Sequence, residues 1–211
     1  GAAELGLGVM NIPEALGGAG NERSAVTNTF FAAALAHGDM GLALACLAPS
    51  AVSNALVLWG DGEQQSAYLP AFVGDKVPAA ALAIQEPAAL FDPLKLSTQA
   101  RRTPDGYVLD GVKSLVPRAA EAELFIVAAH LEGRGPALFI VESSTKGLSV
   151  QAEPAMGLRA ASTGRVVLDN VVLPARALLA NGSAESYATC VTLSRLGWCA
   201  VAVGAAQAAL D

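Results

Sequence analysis

The 211-residue chain predicts an α+β protein. Its expected layout is an N-terminal helical segment, a central antiparallel β-barrel or sandwich, and the start of a C-terminal helical bundle. Three observations carry this. Up to about Pro70, apolar residues recur at helical spacing between Gly and Pro punctuation. From Pro78 the texture changes to short apolar runs separated by turn signals, with no helical stretch between them. After Pro174 helical spacing returns and holds to the last residue. The corresponding domain boundaries are 1–77, 78–180 and 181–211.

Residues 1–20 carry six glycines and Pro13 and read as loop and turns. Gly18-Ala19-Gly20 lacks a preceding strand and a third spaced glycine, so a phosphate loop is not indicated. Ser24 is a cap for a helix reaching Ala36, with Val26, Phe30, Phe31 and Ala34 as its apolar face. His37-Gly38 ends it. Further helices are expected over Gly41–Leu47, Ser50–Leu58 and Glu63–Tyr68. Asp39 and Pro49 read as helix starts, and Gly60-Asp61-Gly62 separates the last two. The uncharged stretch Met40–Trp59 is long enough to raise the membrane question. Pro49, Ser50, Ser53 and Asn54 interrupt its middle, so no membrane insertion is expected.

The strand-length runs are Ala79–Ile84, Leu94–Arg101, Tyr107–Leu109, Leu124–His130, Ala137–Val141, Leu148–Gln151 and Val166–Val172. Pro104-Asp105-Gly106, Gly133-Arg134-Gly135-Pro136, Lys146-Gly147 and Ser162-Thr163-Gly164 divide them. Ser183 or Ser186 caps a last helix toward Leu210. Leu193, Leu196, Ala200, Val203, Ala206 and Leu210 fall on one of its faces. No stop signal follows, so the native protein is expected to continue beyond Asp211.

Composition excludes several classes. Hydrophobic residues make up 53% and aromatics 5%, a globular balance. The net charge is −6, from 13 basic and 19 acidic residues, with no run of Lys or Arg. Nucleic acid is therefore not an expected partner. Cys46, Cys190 and Cys199 have no CxxC spacing and read as free thiols in a reducing compartment, the cytoplasm. No basic region followed by an apolar run marks a signal peptide. His37 and His130 have no nearby ligand spacing, so no metal site is expected. Ser143-Ser144-Thr145 lacks the G-x-S-x-G frame of a hydrolase elbow. Glu142 and Glu153 flank strands and read as exposed.

Two stretches carry the most information. The first is Ala83-Ile84-Gln85-Glu86-Pro87-Ala88-Ala89-Leu90-Phe91-Asp92. The second is Leu109-Asp110-Gly111-Val112-Lys113-Ser114-Leu115-Val116-Pro117-Arg118. They resemble the two flavin-facing segments of the acyl-CoA dehydrogenase family, which read T-E-P-x-A-G-S-D and N-G-x-K-x-W-I-T-N. Further pieces resemble the family in the same order. They are Pro13 to Gly20, Gly60 to Pro70, Asp105 to Lys113, Met156 to Arg159 with Val171 to Pro174, and Ser194-Arg195 with Gly204 to Asp211.

The resemblance implies α,β-desaturation of an acyl-CoA thioester. A carboxylate takes the α proton, and the β hydrogen leaves as hydride to flavin N5. It implies FAD as cofactor and an electron-transfer flavoprotein or similar acceptor as partner. It also implies a homo- or hetero-oligomer, dimer or tetramer. Cofactor contacts fall on Ile84, Gln85, Phe91, Leu115 and Pro117, and substrate contacts on Phe91 and Arg195. Glu86 falls at a structural loop position and Asp92 reads as a turn or cap. Arg195 matches an arginine near the family's base. The base itself is expected beyond Asp211, because Ser194 occupies the other place where the family puts it. Small side chains between Phe31 and Leu47 suggest room for a bulky or branched acyl group.

The flavin contacts depart from the pattern. Gln85 replaces a threonine but still donates and accepts. Leu90-Phe91 replaces Gly-Ser, Leu115 replaces the tryptophan that covers the ring, and Pro117 removes both a hydroxyl and a backbone donor. At about 0.5–1.5 kcal/mol per hydrogen bond, these changes weaken flavin binding or abolish it. The alternative is a flavin-deficient subunit paired with a competent one. An acyl-CoA oxidase or flavin monooxygenase shares the resemblance.

Overall fold

The computed structural model describes residues 11–20, 24–74 and 76–211. The first half of the glycine-rich opening lies outside them. Its described end is a 3-10 turn, Glu14–Leu16, closed by Gly17 in the left-handed conformation.

Helix α1, Ala25–Gly38, starts where Ser24 Oγ accepts the Thr27 N–H. Helix α2, Met40–Trp59, starts where Asp39 Oδ1 accepts the Leu42 N–H at 2.7 Å. It overturns the expected pair of helices over 41–47 and 50–58. One helix runs straight through Pro49, whose interior position costs about 3 kcal/mol in an isolated helix. Pro49 is buried beside Ala48, Val52, Ser53, Ala55 and Leu56, and that packing outweighs the lost bond. Half of the helix's apolar window is buried inside the fold, as in the core helix of a globular protein. Helix α3, Gly62–Tyr68, opens with a capping box in which Asp61 and Gln64 satisfy each other's backbone donors.

The strands are β1 Ala80–Ala83, β2 Gln99–Thr103, β3 Gly106–Val116, β4 Leu124–Leu131, β5 Gly135–Glu142, β6 Leu148–Ala152 and β7 Gly164–Pro174. They form one curled sheet, mostly antiparallel. β4 pairs antiparallel with β5 on one edge, and parallel with β1 and then β2 on the other. The run expected over Leu94–Arg101 becomes strand only at Gln99, and β3 extends well past Leu109. β4 is buried on both faces, which accounts for its unbroken apolar sequence. Phe125, Val127 and Ala129 face the inside of the sheet with Tyr107 and Phe139. Leu124, Ile126 and Ala128 face the helices, with Leu56, Tyr187 and Cys190.

Helix α4, Ala184–Ala208, is capped by Ser183 Oγ on the Ser186 N–H. Its buried side is Tyr187, Cys190, Val191, Ala200, Val201 and Gly204. The stripe expected from periodicity is mostly on the other side, since Leu196, Val203 and Leu210 are exposed. The same correction applies to α1, where Val26 and Phe30 are exposed and Ala32 and Ala36 are buried. The cause is one contact. A Cβ at Gly204 would lie 2.0 Å from the Ala33 carbonyl oxygen, so α1 and α4 pack through their small residues.

Candidate functional site

The site begins with a break in the sheet. β1 follows the edge of β4 to Ala83, leaves it, and the chain rejoins the same edge as β2 at Gln99. The intervening loop carries Ile84, Gln85, Glu86 and Phe91. Asp92 turns it, its carboxylate accepting the Leu94 N–H at 3.0 Å. The second wall comes from the end of β3, whose register against β7 shifts after Leu109 and again after Lys113. The first shift needs Gly111, at φ +153°, because a Cβ there would lie 2.7 Å from Thr98 Cα. The second leaves Leu115 in the left-handed conformation, at φ +54°.

One ion pair joins the two walls. Lys113 Nζ donates to Glu86 Oε1 at 2.8 Å and to the Ile84 carbonyl at 3.2 Å. Neither side chain reaches solvent appreciably, at 0% and 4% exposure. The Glu86 carboxylate also accepts the Ser97 and Thr98 backbone N–H groups at 2.7 and 2.8 Å. Burial raises its pKa, but the Lys113 ammonium and these N–H donors outweigh burial and hold it at about 2. Burial draws the Lys113 ammonium down to about 8 against the pull of Glu86, so both groups are charged at neutral pH. The Ser114 N–H donates to the Gln85 carbonyl at 2.9 Å, a second tie between the walls.

Glu153 fastens the second wall from outside, a role its sequence position does not reveal. Its carboxylate accepts the Leu115 N–H at 2.6 Å, the Ser114 hydroxyl at 2.8 Å and Arg165 Nε at 2.9 Å. It is half-buried rather than exposed. Burial raises its pKa, but those hydrogen bonds and the Arg165 charge leave it lowered. Glu142 is exposed, as its sequence position suggested, and accepts the Tyr68 hydroxyl.

Between these walls and helices α1, α2 and α4 lies a cleft of about 540 Å³. Ile84, Gln85, Phe91, Leu115, Pro117 and Arg195 all line it. The small residues Ala32, Ala48, Ala51 and Ala55 line it too, from two helices that break at Asp39. Arg195 is exposed, and its guanidinium donates no hydrogen bond among the described residues. The Tyr187 hydroxyl donates to the Pro93 carbonyl and ties α4 to the first wall. Burial pushes the Cys190 thiol up to about 12, so it stays neutral and unreactive. Among the described residues that line the cleft there is no carboxylate and no histidine. The sequence also gave no sign of the Asn11–Asn54 amide pair on its wall, joined by a 3.0 Å hydrogen bond.

Residues 1–76 match the profile "Acyl-CoA dehydrogenase, N-terminal domain", and residues 81–171 match "Acyl-CoA dehydrogenase, middle domain". The short/branched chain specific acyl-CoA dehydrogenase of rat mitochondria is 32% identical over 97% of this chain and 49% of that protein. An acyl-CoA dehydrogenase from Bacillus anthracis, solved in complex with FAD, superposes with a TM-score of 0.82 at 31% identity. That match covers 96% of this chain and 35% of that one. Butyryl-CoA dehydrogenase from Megasphaera elsdenii superposes with a TM-score of 0.85 at 27% identity, covering 99% and 58%. N-terminal helices, a curled sheet and a C-terminal helix thus match the fold of these oxidoreductases. The chain belongs to the acyl-CoA dehydrogenase family, and it spans about half the length of the curated relatives it matches.

Part of the cleft's lining suits a flavin ring. Its walls at Phe91, Leu115 and Pro117 are apolar, and a planar ring packs on such surfaces. Its polar fit is thin. The Leu115 N–H and Ser114 hydroxyl are committed to Glu153, and Pro117 has no N–H. Gln85 is the exception, since its amide makes only a 3.4 Å contact to the neighbouring Glu86 carbonyl and can turn to a ring edge.

Proposed function

We propose that this chain is the N-terminal and middle part of an FAD-dependent acyl-CoA dehydrogenase that desaturates the Cα–Cβ bond of an acyl-CoA. The observation that carries this reading is the single cleft lined by both the Gln85 loop and the Leu115–Pro117 segment, beside a helical wall of small residues. FAD, when bound, supplies the hydride acceptor. Ile84, Gln85, Phe91, Leu115 and Pro117 would hold its ring, with Gln85 as the hydrogen-bonding contact.

The chain's own residues then orient the substrate and exclude water. The Glu86–Lys113 pair holds the two walls at fixed separation, as positional chemistry requires. Leu115 and Pro117 keep the ring face dry. Arg195 offers a positive charge beside the reacting region. Among the described residues no carboxylate lines the cleft, and in this reading the proton-abstracting carboxylate is expected beyond Asp211. An electron-transfer flavoprotein or similar acceptor reoxidises the enzyme. Three free cysteines agree with a reducing, cytoplasmic compartment, and the assembly in this reading is a homo- or hetero-oligomer.

A second reading has its own support. The committed donors of Ser114 and Leu115, with Pro117, favour a subunit that keeps the fold but leaves flavin to a partner chain. Anaerobic addition of acyl-CoAs to the full-length protein, expressed alone and purified, decides between them. Bleaching of a stoichiometric flavin absorbance supports the enzyme. A colourless protein that binds acyl-CoA supports the second reading and overturns the first.

A further inference from the structure

The cleft's helical wall contains a polar pair that a plain hydrocarbon tail would leave unsatisfied. Asn11 Nδ2 donates to Asn54 Oδ1 at 3.0 Å, tying the loop before the first 3-10 turn to the middle of α2. Both residues line the cleft and both are half-buried. An amide pair joined by one bond keeps one donor group and one acceptor group free. Among the described residues, Asn54 Nδ2 and Asn11 Oδ1 carry no further hydrogen bond. Asn28 lines the same cleft from α1, and its side chain makes no hydrogen bond among the described residues. From α2 the lining also includes Ser50 and the apolar Ala51, Ala55 and Leu58, with Leu82 from β1.

A purely aliphatic chain against this wall would strip water from the amides and return nothing, a cost that disfavours it. A ligand with one oxygen on an otherwise apolar body would satisfy them. A hydroxyl both donates to Asn11 Oδ1 and accepts from Asn54 Nδ2, and a ketone accepts from Asn54. The small alanines of the helical wall leave room for a ring as well as for a chain.

Building on the proposed function, we propose that the cleft selects acyl thioesters whose bulky acyl part carries a hydroxyl or keto oxygen, recognised by the Asn11–Asn54 pair. A bond that merely ties loop to helix would give no such preference.

The test compares cyclohexanecarbonyl-CoA with 4-hydroxycyclohexanecarbonyl-CoA and 4-oxocyclohexanecarbonyl-CoA by titration calorimetry on the full-length protein. The oxygenated pair should bind about tenfold more tightly, the factor that one hydrogen bond of about 1.4 kcal/mol supplies. Asn54→Leu should erase that difference. Its thermal melt shows whether the variant folds, and the wild-type comparison stands without it. Equal affinity of all three thioesters overturns the proposal and leaves the acyl-CoA reading intact. Binding of none overturns both. Preference that survives Asn54→Leu overturns the assignment to this pair.

Discussion

Lys113 and Glu86 meet at 2.8 Å although they lie 27 positions apart in sequence, and both side chains are buried. Each belongs to one of the two stretches that carried the family resemblance in the sequence. The lysine is the last β3 residue before the second register shift, and the glutamate sits in the loop that leaves the β4 edge. Their contact joins a loop and the end of a strand into one cleft. Removing one partner strands the other's charge in the core. Lys113→Met should therefore destabilise the protein by about 3–5 kcal/mol. Urea denaturation followed by circular dichroism measures this, and Glu86→Gln with Lys113→Met together should cost less than Lys113→Met alone.

Acid should unfold the protein through the same pair. The Glu86 pKa is lowered from its ordinary 4.5 to about 2. A carboxyl lowered on folding stabilises fully above its unfolded value and loses that contribution as pH falls through its folded value. Stability should drop progressively between about pH 4.5 and pH 2, by roughly 3 kcal/mol from this residue. In Glu86→Gln that part of the pH dependence should vanish from thermal melts taken across the range.

Glu153 offers a local test. Its carboxylate holds the Leu115 N–H and the Ser114 hydroxyl at the cleft wall. Glu153→Ala should release both with a modest global cost of about 1–2 kcal/mol. Amide hydrogen exchange at Leu115 should quicken far more than at Ile126 or Val127 in the buried strand β4. Equal protection of Leu115 in both proteins would contradict this role.

The α1–α4 contact should tolerate no added methyl group. A Cβ at position 204 would press within 2.0 Å of the Ala33 carbonyl oxygen, which belongs to rigid helix backbone. Gly204→Ala should cost about 1–3 kcal/mol despite alanine's better helix propensity. A thermal midpoint at or above wild type would contradict the close packing.

What the sequence made legible follows from how local each feature is. The strands of the middle region were readable because turn signals bracket apolar runs, as at Gly133–Pro136 between β4 and β5. Their pairing was less so: β4's parallel partners β1 and β2 share one edge only because the intervening loop leaves and returns. Pro49 misled because a local rule was overridden by burial. The faces of α1 and α4 misled because large apolar residues were weighed, whereas Gly204, Ala32 and Ala36 make the contact. The six residues expected at the site do line one cleft. Glu153 and the Asn11–Asn54 pair carried no local mark, since their partners lie far away in sequence.

The most direct measurement is equilibrium binding of FAD to the full-length protein, read by quenching of flavin fluorescence. With Gln85 as the polar contact to the ring, one FAD should bind per chain, and Gln85→Leu should weaken binding about tenfold. Pro117→Thr, which restores a hydroxyl and an N–H, should tighten it. Absence of binding, or affinity indifferent to residues 85 and 117, would contradict a flavin seated between these two walls.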